Sequence, residues 1–172
     1  MNKINRLKNK GIARLAGSIP ALAEYLTASY TPQASKDVPW SPIKKPLVES
    51  KIALVTTAGI HHPYQEPFDM DDPSGDSTYR IIDTQTIEDD YLITHDYYDH
   101  RDADKDLNIV YPVTRLKEMA AGGIVGSVAR YHFSFMGHIR DSHLDNLLET
   151  YAPQVTNRLV QDQIDGVLLT PG

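Results

Sequence analysis

A chain of 172 residues, 41% hydrophobic and 23% charged, is long enough for one globular domain with an ordinary core. Its 17 Lys and Arg against 23 Asp and Glu give a net charge of −6, which argues against a general nucleic-acid binder. It contains no cysteine, which excludes disulfides, thiolate zinc sites and a cysteine nucleophile within these residues, and no run of about 18 apolar residues, so no membrane span is expected.

The opening MNKINRLKNKGIARLAGSIPALAEYL is basic and then rich in small apolar residues, as a secretory leader is, but Arg14, Pro20 and Glu24 interrupt the apolar part. A cytoplasmic protein is therefore expected. Residues 3–30 read as one or two short helices, with Ile4, Leu7, Ile12, Leu15, Leu22, Ala23 and Leu26 in a partial apolar stripe. Lys3, Arg6, Lys8, Lys10 and Arg14 all precede the first acid, Glu24. They read either as a solvated face or as a surface for an acidic partner or anionic lipid. From 31 to 46, Pro32, Pro39, Pro42 and Pro46 mark an extended connector, which Trp40 is expected to anchor. Residues 1–47 thus form a helical arm and connector, and 48–172 an α/β domain expected to be incomplete at its C-terminal end.

KIALVTT, Lys51 to Thr57, is the strongest strand, and its near-continuous apolar character predicts burial on both faces. Ala58, Gly59, His61 and His62 follow at its carboxyl end. Further strands are expected at Tyr79–Ile82, Tyr91–Thr94 and Gly166–Thr170, and helices at Pro112–Ala121 and Ser142–Ile164, the latter kinked at Pro153. Strands alternating with helices predict an α/β, Rossmann-like three-layer domain with a mainly parallel sheet, preceded by the short helical arm.

Polar residues are densest in THDYYDHRDADKD, where His95, Asp96, Asp99 and His100 have the chemistry of metal ligands or acid/base groups. No H-E-x-x-H register accompanies them, and Asp-rich loops are commonly just solvated. His61 and His62 stand where α/β folds place ligand groups; adjacent extended residues point opposite ways, so one of the two would face a site. In GDSTYR, Arg80 reads as a bidentate carboxylate clamp or as a surface ion pair. The glycines of GGIVGSVARYHFSFMGH fit neither G-x-G-x-x-G nor the P-loop spacing, so this stretch reads as a turn and strand with His132 near its end.

Taken together, PWSPIKKPL, ALVTTAGIHH, PFD, GDSTYR, THDYYDH, DLNIVYPVTRL, GGIVGSVARYHFSFMGHI and DGVLLTPG cover about residues 38–172 in unbroken order. This combination resembles the glycine/sarcosine/betaine reductase selenoprotein B and D-proline reductase family, in particular its short single-domain members. The resemblance implies a redox-active cysteine or selenocysteine just after the segment matching VLLTPG, followed by a second cysteine, a helix and a further strand. It also implies reductive cleavage of a small-molecule substrate, with a dithiol or thioredoxin-like thiol as electron donor. A pyruvoyl group, where the family uses one, comes from a separate subunit. A selenol or thiol at a helix amino terminus would be held as the nucleophilic anion. Because UGA encodes both selenocysteine and stop, one expectation is that the sequence is cut at an in-frame UGA and that this chain is inactive.

On this reading His95 and His132 are candidates for acid/base or chalcogen-orienting work. Asp99 stands beside them as a catalytic candidate, and His61 and Arg80 as substrate-binding ones. No metal is implied. An open sheet edge near Thr170 would favour a homodimer. Two other readings stay open: a binding module for a small carboxylate that performs no redox step, and a metal-dependent hydrolase centred on His95, Asp99 and His100.

Overall fold

The computed structural model describes residues 3–28, 41–86 and 90–172, so the Trp40 anchor lies outside the described residues. Strand β1 (Lys51–Thr56) is the centre of the sheet, and Ile52, Ala53 and Leu54 are buried in succession, as a strand covered on both faces requires. It pairs in parallel with β5 (Ser127–Val128), β6 (Tyr131–Phe135) and β7 (Gly166–Thr170). Ile52 pairs with both Val128 and Gly166, and Val55 with both Phe133 and Leu169, so β5 and β6 flank β1 on the side opposite β7.

The expected Rossmann-like three-layer domain with a mainly parallel sheet is not what forms. Strand β3 (Tyr79–Asp83) runs antiparallel to β6 along its whole length, and β2 (Ile60–His61) runs antiparallel to β4 (Leu92–Ile93). Antiparallel bridges also join Ala58 to Met136 and Gly75 to Ile139. Antiparallel positions are as numerous as parallel ones, and the α/β domain carries a curled half-barrel sheet. The physical reason lies in the connections. A parallel sheet needs a crossover element after each strand, yet among the described residues no helix separates β1, β2, β3 and β4. Only two helical crossovers exist among the described residues: α3 (Val113–Ala121) leads to β5, and α4 (Ser142–Asn146) with α5 (Ala152–Gln161) leads from β6 to β7.

Pro112 precedes α3 as its N-cap rather than entering it. The helix expected over 142–164 runs from 142 to 161 and is interrupted by a π turn at Leu147–Tyr151 that joins α4 to α5; Pro153, which cannot donate to the preceding turn, lies just beyond that departure from the α ladder. Val113 and Leu116 of α3 pack with Leu54, Ile60, Ile82 and Tyr111 on one side of the sheet, while Val155 of α5 packs with Phe133 and Phe135 on the other. Strand β7 keeps an open edge among the described residues, and Leu169 there is 72% exposed.

The arm folds as α1 (Lys3–Ser18) and α2 (Pro20–Thr27), with Pro20 opening the second helix. Its apolar stripe does not face the domain: Ile4, Leu7, Leu15 and Leu26 are exposed. The basic side docks instead, through Arg6 and Lys10. Among the described residues no helix is long and apolar enough to cross a membrane.

Candidate functional site

Gly59 takes a φ of 70° just after β1, and a Cβ there would stand 2.6 Å from the Thr94 carbonyl, so only glycine fits. This close approach brings the exit of β1 against the exit of β4, with the Thr94 N–H donating to the Gly59 carbonyl at 2.9 Å. The two strongest polar motifs of the sequence meet here.

His61 is buried, and both its nitrogens are engaged. Nδ1 lies 2.9 Å from the His62 carbonyl and so carries the proton, which leaves Nε2 to accept from the Thr94 hydroxyl at 2.9 Å. Its ring stands edge-on to Phe68, and the Arg80 guanidinium lies 4.3 Å from the Phe68 ring centre. Arg80 donates to the carbonyls of Glu66, Pro67 and Tyr79 at 2.6, 3.0 and 3.2 Å and to the Thr78 hydroxyl at 2.8 Å, with Asp76 at 3.7 Å. It therefore clamps the loop of residues 66–68, and burial pushes its pKa down. A cleft of about 530 Å³ opens beside it, walled by Arg6, Phe68, Asp69, Asp76, Arg80 and Thr94.

His95, next to Thr94, is 4% exposed. The Tyr97 N–H points at Nδ1 (3.1 Å) and the Gly137 N–H at Nε2 (3.2 Å). A neutral imidazole has one in-plane lone pair, so one of these bonds holds at a time. Burial lowers the His95 pKa to about 4, with the charges of His138 and His100 adding to the effect and Asp96 opposing it. Gly137 lets its backbone approach both His95 and Thr57, and Thr57 in turn accepts the Gly172 N–H at 3.1 Å. His95 and the Thr170–Gly172 segment thus converge on Thr57 at the carboxyl ends of β1 and β7.

The remaining polar residues of the motif resolve into separate pairs. Asp96, with its side chain 1% exposed, accepts Arg6 Nε at 2.5 Å and Nη2 at 3.1 Å, with Lys10 at 3.4 Å. Burial would push the Asp96 carboxyl up, but the two cations outweigh it and hold it below its ordinary value. Asp99 is forked by Arg101, which lowers its pKa to about 2, and His100 pairs with Asp104 at 2.8 Å. Among the described residues no group of three or more His, Asp or Glu is arranged to hold a metal.

His132 is fully buried and belongs to the start of β6, not the end of a strand. Between β5 and β6 the pairing with β1 lapses once the Ala129 N–H has donated to the Ile52 carbonyl at 2.8 Å, which would leave the Leu54 N–H without a ladder partner; His132 Nδ1 accepts it at 2.7 Å. Burial lowers the His132 pKa to about 4 against the smaller upward pull of the Ala129 carbonyl. The structure therefore brings His61 and Arg80 together around Phe68, with His95 one residue beyond Thr94. It leaves Asp99 on the outer surface and His132 in the core. Sequence reasoning passed over Thr94 and Tyr98, whose hydroxyl donates to the Ala58 carbonyl at 3.3 Å, although both lay within a quoted motif.

A family model described as glycine/sarcosine/betaine reductase selenoprotein B matches residues 12–172. The chain is 31% identical over 133 residues to D-proline reductase subunit gamma of Acetoanaerobium sticklandii, covering 77% of this chain and 53% of that protein. It is 31% identical over 177 residues to glycine reductase complex component B subunit gamma of Peptoclostridium acidaminophilum, covering 99% of this chain and 38% of the relative. Sarcosine reductase complex component B subunit beta of the same organism is 28% identical over 137 residues, covering 77% and 30%. The chain thus spans about half the length, or less, of these relatives. No solved structure matches it. The chain belongs to the glycine/sarcosine/betaine reductase selenoprotein B family.

Proposed function

We propose that these 172 residues form the ligand-holding α/β unit of a component-B-type reductase, binding a small amino acid without reducing it on their own. The observation that carries this reading is the family match over residues 12–172 in a sequence with no cysteine. The cleft at Arg80 is walled by Glu66, Asp69, Asp71 and Asp76, which suit the ammonium group of an amino acid, while Arg6 and Arg80, engaged by Asp96 and by backbone carbonyls, hold its shape. The relatives' names nominate D-proline, glycine and sarcosine as ligands to try. The hydrolase reading loses its basis, because Asp99 and His100 are spent in separate ion pairs.

A second reading keeps the reductase step, with a cysteine or selenocysteine outside these residues and a thiol as electron donor. It is favoured by the convergence of His95 and Gly172 on Thr57, which puts a buried, neutral imidazole beside the carboxyl end of β7. In it, His95 would orient or protonate the reacting group. The test is incubation of the chain with D-proline, glycine or sarcosine and excess dithiothreitol, with product read by chromatography. No product is expected; turnover by these residues alone would overturn the ligand-holding reading.

A further inference from the structure

We propose that the helical arm is a self-association surface, on which α1 and α2 of one copy pack against α1 and α2 of a second copy, two helical hairpins meeting about a two-fold axis. The contact uses no residue of the open β7 edge and does not depend on what the cleft at Arg80 binds.

The orientation of α1 carries the proposal. At about 100° per residue, Ile4, Leu7, Ile12 and Leu15 fall within an arc of about 140°, and Arg6, Lys10, Ala13 and Gly17 fall on the opposite side. The domain takes that opposite side. Arg6 and Lys10 hold Asp96, Ala13 is buried, and a Cβ on Gly17 would stand 3.8 Å from that of Asp99. An amphipathic helix ordinarily docks by burying its apolar stripe, the source of most of its docking free energy. Here a buried carboxylate with two cations fixes α1 the other way round, and the stripe is held outward.

The second helix extends the stripe. It packs against α1, and Ile19 at its N-cap, Tyr25 and Leu26 are exposed. The seven apolar side chains of the two helices are between 37% and 78% exposed. At about 200 Å² for each when fully exposed, they leave about 800 Å² of apolar surface per copy, one partner's share of a standard interface. Monomers seldom keep a patch above about 600 Å².

Charge decides what covers it. Residues 1–28 carry five Lys and Arg against one acid, a balance that would suit an anionic bilayer. Arg6 and Lys10 are engaged by Asp96, however, and Arg14 lies in the field of Asp99. Among the described side chains Lys8 is the exposed cation within the stripe, and anionic membranes are held by clusters of about four to eight basic residues. One lysine in a chain of net charge −6 falls short of that. A lysine in such a position packs its stem along an apolar contact and keeps its ammonium in water. A second copy supplies an apolar stripe of the same length, and two-fold pairing covers both stripes at once.

The test is sedimentation-velocity ultracentrifugation of the whole chain over about 1–100 μM, which brackets the weak end of affinities for an interface of this size. A monomer–dimer equilibrium is expected, unaltered by about 0.5 M salt, which screens ion pairs and spares apolar contacts. Leu7→Lys and Leu15→Lys, exposed changes to a good helix former, should each weaken the dimer roughly tenfold or more with helicity by circular dichroism unchanged. Leu169→Lys, on the open edge of β7, should leave the dimer intact. The proposal is overturned by a monomer at every concentration, by a dimer lost in Leu169→Lys and kept in both arm variants, or by a monomer that sediments with phosphatidylcholine vesicles containing phosphatidylglycerol.

Discussion

Replacing Arg6 with alanine should loosen the helical arm from the domain. Arg6 donates through Nε and Nη2 to Asp96, whose side chain is 1% exposed, whereas the Arg6 side chain is 41% exposed. A fully buried pair broken on one side costs about 3–5 kcal/mol, and an exposed pair about 0–1. The half-open geometry, with Lys10 remaining at 3.4 Å, places the expected loss between these limits, at about 2 kcal/mol. That loss corresponds to a roughly 30-fold larger open population, since 1.4 kcal/mol is tenfold. Hydrogen exchange at the α1 amides reads the opening directly. Asp96→Asn and the double variant complete the cycle, and a coupling of about 1–2 kcal/mol is expected between two residues in direct contact. Additive single changes, or α1 exchange unaltered in Arg6→Ala, would refute the reasoning and leave the docking of the basic face unexplained.

Acid should weaken the fold before its carboxylates titrate. His95 and His132 have folded pKa values lowered from 6.5 to about 4, so between these values the unfolded chain binds more protons and stability falls as pH falls. Each histidine should contribute about 3 kcal/mol that is fully present above pH 6.5 and lost on descent to about 4. The lowered carboxyls of Asp96 and Asp99 begin to contribute only below about pH 5, so urea unfolding at several pH values between 5 and 6.5 reports on the histidines; a flat profile there contradicts their buried, neutral state. Gly59→Ala should cost about 2–4 kcal/mol, because the added Cβ meets the Thr94 carbonyl and the backbone is left-handed. A change in urea midpoint too small to measure would mean that the two strand exits can separate freely.

The legible parts of the fold were those with local signals. KIALVTT announced a doubly covered strand by its apolar run, the Gly166–Thr170 strand by its boundaries, and α3 by Pro112 at its entry. What escaped was long-range. Nothing in YRIID says that it will lie antiparallel to YHFSF, because the partner is chosen by packing some 50 residues away and not by either segment's own pattern. The site followed the same division. The motifs were visible as clusters of reactive residue types, but the roles depended on which hydrogen-bonding groups were already engaged: Arg80 donating to backbone carbonyls, His61 Nε2 accepting from Thr94, His132 Nδ1 accepting the Leu54 amide. The basic run of the arm was conspicuous, yet its partner, Asp96, lies 90 residues on and looked like one more acid in a solvated loop.

The measurement that bears most directly on the account is an amide NMR titration of the chain with D-proline, glycine and sarcosine. The account predicts that one of them shifts the signals of residues 66–80 and of Thr94 saturably, with the binding weakened in Arg80→Lys and unaffected in Lys117→Gln. No saturable shift with any of the three, or shifts confined to residues outside that cleft, would contradict the assignment of a ligand-holding site to these residues.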